Sequence, residues 1–454
     1  MIRLSEVVSA LSQALDLTEG QPMGHAIRSC ILGMGIAEEL RLPSQDCSDL
    51  YYALLLKDAG CTSNAARMYQ ILGSDDIRAK REVKLEDWTK VTLPGLCYAF
   101  RNTLPASSLW QRAARVIKLG IKQKQYNLDL ISARCERGAE IARKVGLTEN
   151  AARAIRSLDE HWDGGGYPEG LAGEQIPLLA RIICVSQTLE VFASEFGPET
   201  AIEVVTERSA SWFDPEIVRV VKSWENDDSL WQNVEAHDPR PYLLRMEPGA
   251  ALPALPERID CLCQAFAEVI DAKSPYTFNH SVGVADAATK IAERIGLAEN
   301  TFTMVRRAAL LHDIGKLSVS NAILEKPGKL TDAEWNIMKL HPVYTRAILK
   351  TISGFENLAF IAGAHHERLD GSGYPDGLGA QEMPLTARII AVADVFHALS
   401  EKRPYREALA PETVFSMMEK EAPNKLDADC LAALKKSEIS EKAEEETLAQ
   451  SVGI

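Results

Sequence analysis

Two stretches of this chain write one pattern twice, and that constrains the fold before composition does. Gln21–Ser63 runs beside Tyr276–Ser318, so that His25 falls on His280 and Asp58 on Asp313, each 255 positions later. A second block, Arg134–Glu190, runs beside His341–His397 at an offset of 207, laying HWDGGGYPEGL on RLDGSGYPDGL and ARIICVSQ on ARIIAVAD. A single core rarely grows beyond about 250–300 residues, so 454 residues that repeat themselves this way read as two copies of one fold. The fall in offset marks 48 extra residues in the first copy, between about Asn64 and Arg134. The expected organisation is a first domain over 1–245 with an insertion at about 64–133, a linker over 246–257, a second domain over 258–440 and a tail over 441–454.

Helical periodicity dominates both halves. Val284, Ala288, Ile291 and Ile295 recur on one helix face, and Ala387–Leu399 keeps its apolar residues on a broad stripe; no strand-like alternation of comparable length appears. Both domains are therefore expected to be all-α. The stretch from His237 to Ile259 is dense in proline, which removes donors and favours an extended connector. Pro411–Lys420 reads as a helix, followed by a helical hairpin containing Leu426, Cys430 and Leu434 and a charged, frayed tail. Inside the insertion, Arg112, Arg115, Lys118 and Lys122 place a basic stripe on one helix face. A solvated face is the first reading of that stripe; a docking surface for an acidic partner or a nucleotide phosphate is the second.

The chemistry gathers in the second copy. The run AALLHDIGK, Ala308–Lys316, brings His312 and Asp313 side by side at the end of an apolar helix, and His280, His341, His365, His366 and Asp394 lie around it in sequence. Imidazole and carboxylate together suit manganese, iron or zinc, whereas calcium and magnesium sites are richer in oxygen. Asp313 could bridge two such ions, and an ion pair of this kind suits hydrolysis of a phosphodiester. His397, alone in an apolar helix, reads as a core residue, and Glu367 as support for a histidine or for the loop after it.

The first copy has lost this set. Lys57, Arg134, Leu158, Asp159 and Gln187 stand where the second copy has His312, His341, His365, His366 and Asp394; only His25 and Asp58 remain. Lysine and arginine put positive charge where cations would sit, which excludes a two-metal cluster and disfavours a lone ion at His25, Asp58 and Asp159. The glycines and proline of Gly164–Pro168 are expected to survive as loop builders.

The ordered residues His280, His312-Asp313-Ile314-Gly315-Lys316, His341, His365-His366-Glu367-Arg368-Leu369-Asp370-Gly371-Ser372-Gly373-Tyr374-Pro375, Asp394 and Arg403-Pro404-Tyr405-Arg406 resemble the HD-GYP family of metal phosphohydrolases over roughly 258–440. The resemblance implies a helical phosphodiesterase that opens cyclic di-GMP to pGpG, with GMP as a further product in some members. It implies His280, His312, Asp313, His341, His365, His366 and Asp394 as ligands of two divalent transition-metal ions, iron or manganese first, with Asp313 bridging. It also implies Lys316 at the scissile phosphate or leaving group, and Tyr374, Arg403 and Arg406 against the dinucleotide. Where some relatives carry a glutamate for a third metal the chain has Tyr276, so two metals are expected; it also reads DVFHAL where the family often has D-V-x-D-A-L, and Arg406 where a lysine is usual.

Two rival readings stay open: a non-catalytic adaptor that senses nucleotide or docks a signalling protein, and a phosphodiesterase for another cyclic dinucleotide such as cyclic GMP-AMP. A protein partner is most credible for the first domain. A net charge of -14 argues against nonspecific binding to DNA or RNA. No 18-residue apolar run is present to span a membrane, and Arg3 and Glu6 break any signal-peptide pattern. Nine cysteines without a regular framework, among them the buried-looking Cys184 and Cys261, fit the reducing cytoplasm. Oligomeric state leaves no mark in the sequence.

Overall fold

A computed structural model describes the chain except residues 1, 87–92, 106, 227, 250–251, 277–278, 403–406 and 453–454, and except the side chains of 93, 94, 96, 226, 228 and 441–452. It divides into two units, Met1–Ala265 with Ser320–Leu324, and Phe266–Val319 with Glu325–Ile454. Among the described residues no strand forms, and the all-α expectation holds.

The first unit contains α1 (Leu4–Thr18), α2 (His25–Glu39), α3 (Ser44–Leu56), α4 (Ala65–Leu72), α5 (Asp76–Val83), α6 (Leu93–Asn102), α7 (Leu109–Ile121), α8 (Gln123–Lys144), α9 (Glu149–Arg156), α10 (Leu178–Phe196), α11 (Pro198–Glu207), α12 (Pro215–Lys222), α13 (Asp228–Val234) and α14 (Arg240–Arg245). The chain continues through α15 (Pro256–Asp271), inside which the division falls, to α16 (His280–Ile295) and α17 (Glu299–Leu311). After α18 (Asn321–Leu324), which groups with the first unit, come α19 (Asp332–Met338), α20 (His341–Leu349), α21 (Glu356–Gly363), α22 (Leu385–Ser400), α23 (Pro411–Glu421) and α24 (Ala428–Val452).

The repeat is a repeat of packing. In the first unit α2 packs on α3 and α10, α9 on α3 and α8, and α8 on the 3-10 turn Cys61–Asn64; in the second, α16 packs on α17 and α22, α21 on α17 and α20, and α20 on the turn Ile314–Ser318. The same local devices hold both copies. Buried Asp16 accepts the backbone N–H groups of Gly24 and Ala26 at 2.8 and 3.0 Å, and its counterpart Asp271 accepts from the backbone and hydroxyl of Ser281 at 3.0 and 2.6 Å. Each carboxylate thus satisfies donors that the starts of α2 and α16 would otherwise leave unpaired. The residue just before each helix is left-handed, Gly24 in one copy and Asn279 in the other, a conformation open to glycine and tolerated by asparagine. Gly60 and Gly315 sit where a Cβ would meet the backbone oxygens of Arg134 and His341 at 1.8 and 2.0 Å. The missing side chain is what lets α8 and α20 press against the turns beneath them.

Four expectations change. The prolines near Arg245 do not keep the segment fully extended: α14 forms with Pro241 in its first turn, where the missing N–H costs nothing. Beyond Leu426 the chain makes one helix, α24, instead of a hairpin. The basic stripe on α7 is also not uniformly solvated. Arg115 turns onto the Gln70 and Ile71 carbonyl oxygens at the end of α4, Arg112 lies over the Phe100 ring, and only Lys118 and Lys122 face outward. All nine cysteines are free; Cys184 is buried as expected, but Cys261 is exposed.

Candidate metal centre

The helix that delivers the centre is anchored by apolar burial. Ala308, Ala309, Leu310 and Leu311 are at most 2% exposed, and each buried leucine contributes about 1.5–3 kcal/mol, so α17 holds His312 and Asp313 at its end against the cost of enclosing them. Five clusters then converge. Asp313 stands in the middle: its Oδ2 faces His280 Nε2 at 3.7 Å and His312 Nε2 at 3.3 Å, while its Oδ1 faces His341 Nε2 at 3.4 Å and His365 Nε2 at 3.6 Å. Asp394 closes the ring, with Oδ1 3.3 Å from His280 and 3.8 Å from His312, and Oδ2 3.6 Å from His366 Nδ1.

The imidazoles are oriented from behind. Nδ1 of His312, His341 and His365 donates to the carbonyl oxygen three residues earlier, Ala309, Met338 and Ala362, at 2.7, 2.7 and 2.6 Å. That assignment leaves each Nε2 as a lone pair pointing inward. His341 Nε2 and His365 Nε2 face one another at 3.1 Å, two acceptors with no proton between them, and His312 Nε2 and Asp313 Oδ1 are buried without a well-formed hydrogen bond. Converging lone pairs with a central carboxylate fit divalent ions: His280, His312 and Asp394 form one compact group, and His341, His365 and His366 another, with Asp313 between them.

Electrostatics point the same way. Burial and neighbouring imidazoles hold His365 and His366 well below the usual histidine range, keeping their lone pairs available. Burial would raise the Asp313 carboxyl, but His312 and Lys316 outweigh it and hold Asp313 well below the usual range. His280 differs: burial opposes charge on it, yet its bonds to Asp394 and Glu401 prevail and push it up to about 9, so it must release a proton before it can hold an ion. Lys316 places its ammonium on Asp313 Oδ2 at the rim of the centre. Tyr374 donates its backbone N–H to the His366 carbonyl at 3.2 Å, and its ring lies 4.8 Å from His366 and 5.9 Å from Trp335. Arg403 and Arg406 lie outside the described residues.

Two residues escaped the sequence reading. Glu401 sits 3.2 Å from His280 Nδ1 and 3.5 Å from His397 Nδ1. His397 is accordingly not a core residue; its side chain is 20% exposed, and it occupies the space that the absent Cβ of Gly283 leaves open. The spacing Asp394, His397, Glu401 repeats one helix face at three and four residues, which is the signal that would have found them. Trp335, half-exposed on α19 beside Tyr374, carried no signal. Glu367 supports the loop: its carboxylate accepts the N–H groups of Asp376 and Leu378 at 2.7 and 2.9 Å, as Glu160 accepts those of Glu169 and Leu171 in the first copy.

In the first unit side-chain cations take the place of ions. The Lys57 ammonium lies 2.9 Å from His25 Nε2 and against Asp58, and the Arg134 guanidinium closes on Asp159, with Nε at 2.9 Å. The three groups of the disfavoured lone site are thereby occupied. A further cluster of Glu19, Asp58 and Cys61 is compensated by Lys80 and Lys84, at 3.2 and 3.0 Å from Glu19.

Comparison with known proteins places these features among relatives. The profile of the HD domain family matches residues 102–217 and 264–430. A Vibrio cholerae protein named 3'3'-cGAMP-specific phosphodiesterase 3 is 43% identical over 435 residues, covering 96% of this chain and 94% of that one. The Xanthomonas campestris cyclic di-GMP phosphodiesterase response regulator RpfG is 38% identical over 45% of this chain and 55% of its own. A crystal structure of a cyclic GMP-AMP-specific phosphodiesterase of V. cholerae, V-cGAP3, aligns with a TM-score of 0.65 and 38% identity over 96% of this chain and 97% of that one.

Proposed function

Because the chain belongs to the HD domain family, in its HD-GYP branch, we propose that its second unit is a metal-dependent phosphodiesterase of cyclic dinucleotides whose preferred substrate is 3'3'-cyclic GMP-AMP. The observation that carries the chemistry is Asp313, each of whose oxygens faces a different pair of histidines. His280, His312, Asp313 and Asp394 would hold one divalent ion and Asp313, His341, His365 and His366 the other, iron and manganese being suited to that donor set. Such a pair supplies Lewis acidity and an acidified water for attack on a phosphodiester. The protein's part is to fix the imidazoles through their carbonyl partners, to hold Lys316 where its ammonium meets the phosphate or the leaving oxygen, and to offer Tyr374 and Trp335 as an aromatic pair for a base.

What favours cyclic GMP-AMP over cyclic di-GMP is the relative that matches nearly the whole chain; the cyclic di-GMP reading, placed first from sequence, is supported by relatives that match less than half of it. Arg403 and Arg406 keep their proposed role at the substrate phosphates, and the assignment does not lean on them. The test is to incubate anaerobically purified full-length protein, reconstituted with Fe(II) or Mn(II), with 3'3'-cyclic GMP-AMP, cyclic di-GMP and cyclic di-AMP and to follow products chromatographically. Fastest opening of cyclic GMP-AMP is expected, with Lys316→Ala retaining metal and losing rate. Preference for another dinucleotide overturns the substrate, and bound metal without turnover of any moves the second unit toward the adaptor reading.

A further inference from the structure

The first unit keeps a cavity where its twin keeps the metal centre. It measures about 340 Å3, and its floor includes Arg134, Asp159 and Gln187, the positions that carry His341, His366 and Asp394 in the second copy. Most of the remaining wall comes from α4, α5, α6, α7 and the first half of α8, the elements of the insertion, and Glu19, Cys61, His161, Cys184, Val191 and Trp212 are among the residues that complete it. The added residues have therefore enclosed a dead metal site as a pocket. A volume of this size lies in the range of small-ligand sites.

The walls are fastened. Asn64 donates to the Leu130 carbonyl at 2.6 Å, Tyr98 Oη to the Ala79 carbonyl at 3.1 Å, and Arg115 ties α7 to α4. Side chains that could fill the space instead line it, among them Met68, Val116, Leu119, Leu130 and Ile131, and an apolar wall facing empty space forgoes the dispersion contacts that a ligand body would restore.

Charge selects the head group. Lys80 and Lys84 share the carboxylate of Glu19, at 3.2 and 3.0 Å, while the neighbouring Asp58 is paired with Lys57, so this end has three ammonium groups against two carboxylates. The Lys84 Nζ is buried and, although ion-paired, makes no well-formed hydrogen bond. The Arg134 guanidinium is matched one to one by Asp159, and Glu86, also in the lining, lies toward Tyr98.

We propose that this cavity binds a small organic monoanion, a carboxylate on an apolar acyl or aromatic body, with the head at Lys84 and Lys80 and the body along Val116, Leu119 and Leu130. The proposal stands on the first unit alone and is independent of the substrate assigned to the second.

Calorimetric titration of the full-length protein tests it with decanoate, decanol and decyltrimethylammonium, each below its micelle concentration. Decanoate is expected to bind one per chain, decanol about tenfold more weakly for want of the charge-assisted bonds, and the cation not at all. Lys84→Met should weaken decanoate about tenfold, and Leu119→Trp, which fills the space, should abolish it while cyclic dinucleotide hydrolysis stays unchanged. Absence of decanoate binding, equal binding of all three amphiphiles, or undiminished binding to Leu119→Trp overturns the proposal.

Discussion

Replacing Gly315 by alanine would test how tightly the fold sets the metal centre. The new Cβ would lie 2.0 Å from the His341 carbonyl oxygen and 2.8 Å from the Thr345 nitrogen, both backbone atoms that cannot rotate away. A tolerable contact begins near 3.0 Å, so the turn and α20 must separate by about 1 Å. Asp313 stands two residues before Gly315, and His341 opens the displaced helix, so the separation falls on the 3.4 Å approach of His341 to Asp313. A misplacement of this size costs about 100-fold in rate, and overpacking of a close contact costs about 1–3 kcal/mol in stability. The first copy supplies the control: in Gly60→Ala the Cβ would meet the Arg134 carbonyl oxygen at 1.8 Å, a clash at least as severe with no catalytic residue on the displaced helix. Metal content by elemental analysis, turnover and urea melts should be measured on both. Both variants should lose stability, but only Gly315→Ala should lose rate and metal. Wild-type turnover in Gly315→Ala, or an equal loss of turnover in Gly60→Ala, would refute the reasoning.

Three further outcomes follow from groups in the same two copies. Burial pushes Asp16 up to about 7, Lys57 and two backbone bonds offsetting part of the effect; between about pH 4 and 7 the folded chain keeps a proton that the unfolded chain releases. Its contribution is thus complete below about pH 4 and lost as pH rises through 7, a span of about 4 kcal/mol that urea melts should show shrinking in Asp16→Asn; an unaltered pH slope counts against it. Lys57→Met should cost about 3–5 kcal/mol by leaving Asp58 buried and uncompensated, and a melt that matches wild type would contradict the role given to this ammonium. Glu401→Ala should weaken metal binding about 10–100-fold by freeing His280 to rotate, measured by competition with a chelator; unchanged affinity would make Glu401 a bystander.

Much of this architecture was legible because duplication turns one chain into its own comparison. The offsets 255 and 207 paired Gly60 with Gly315 and Glu160 with Glu367, and each pair performs one structural task in both units, while the matching helix-start carboxylates Asp16 and Asp271 lie just before the repeated stretch and only the structure paired them. The seven ligand-type residues were visible because imidazole and carboxylate at the ends of apolar runs have few structural uses. What stayed hidden depends on side-chain direction. Arg112 and Arg115 looked like part of an outward stripe, but helix-end carbonyls and an aromatic face drew them inward. Glu401 was passed over because its partner His280 is 121 positions away and only the fold joins them. The cavity was illegible for the same reason, since its lining is gathered from segments between Glu19 and Trp212 and none of them announces it.

The two ammonium and guanidinium groups at the heart of the first unit carry a consequence for how the chain behaves when metal is scarce. Lys57 and Arg134 are bonded into the polypeptide, so the charge they supply to Asp58 and Asp159 has no dissociation constant. On the proposed assignment the second unit would draw from solution the compensating charge that Lys316 at Asp313 does not supply, and its polar core would gain or lose charge with supply. On that assignment the first unit is permanently in the state that the second would attain only when loaded, a fixed reference carried on the same polypeptide as its adjustable copy.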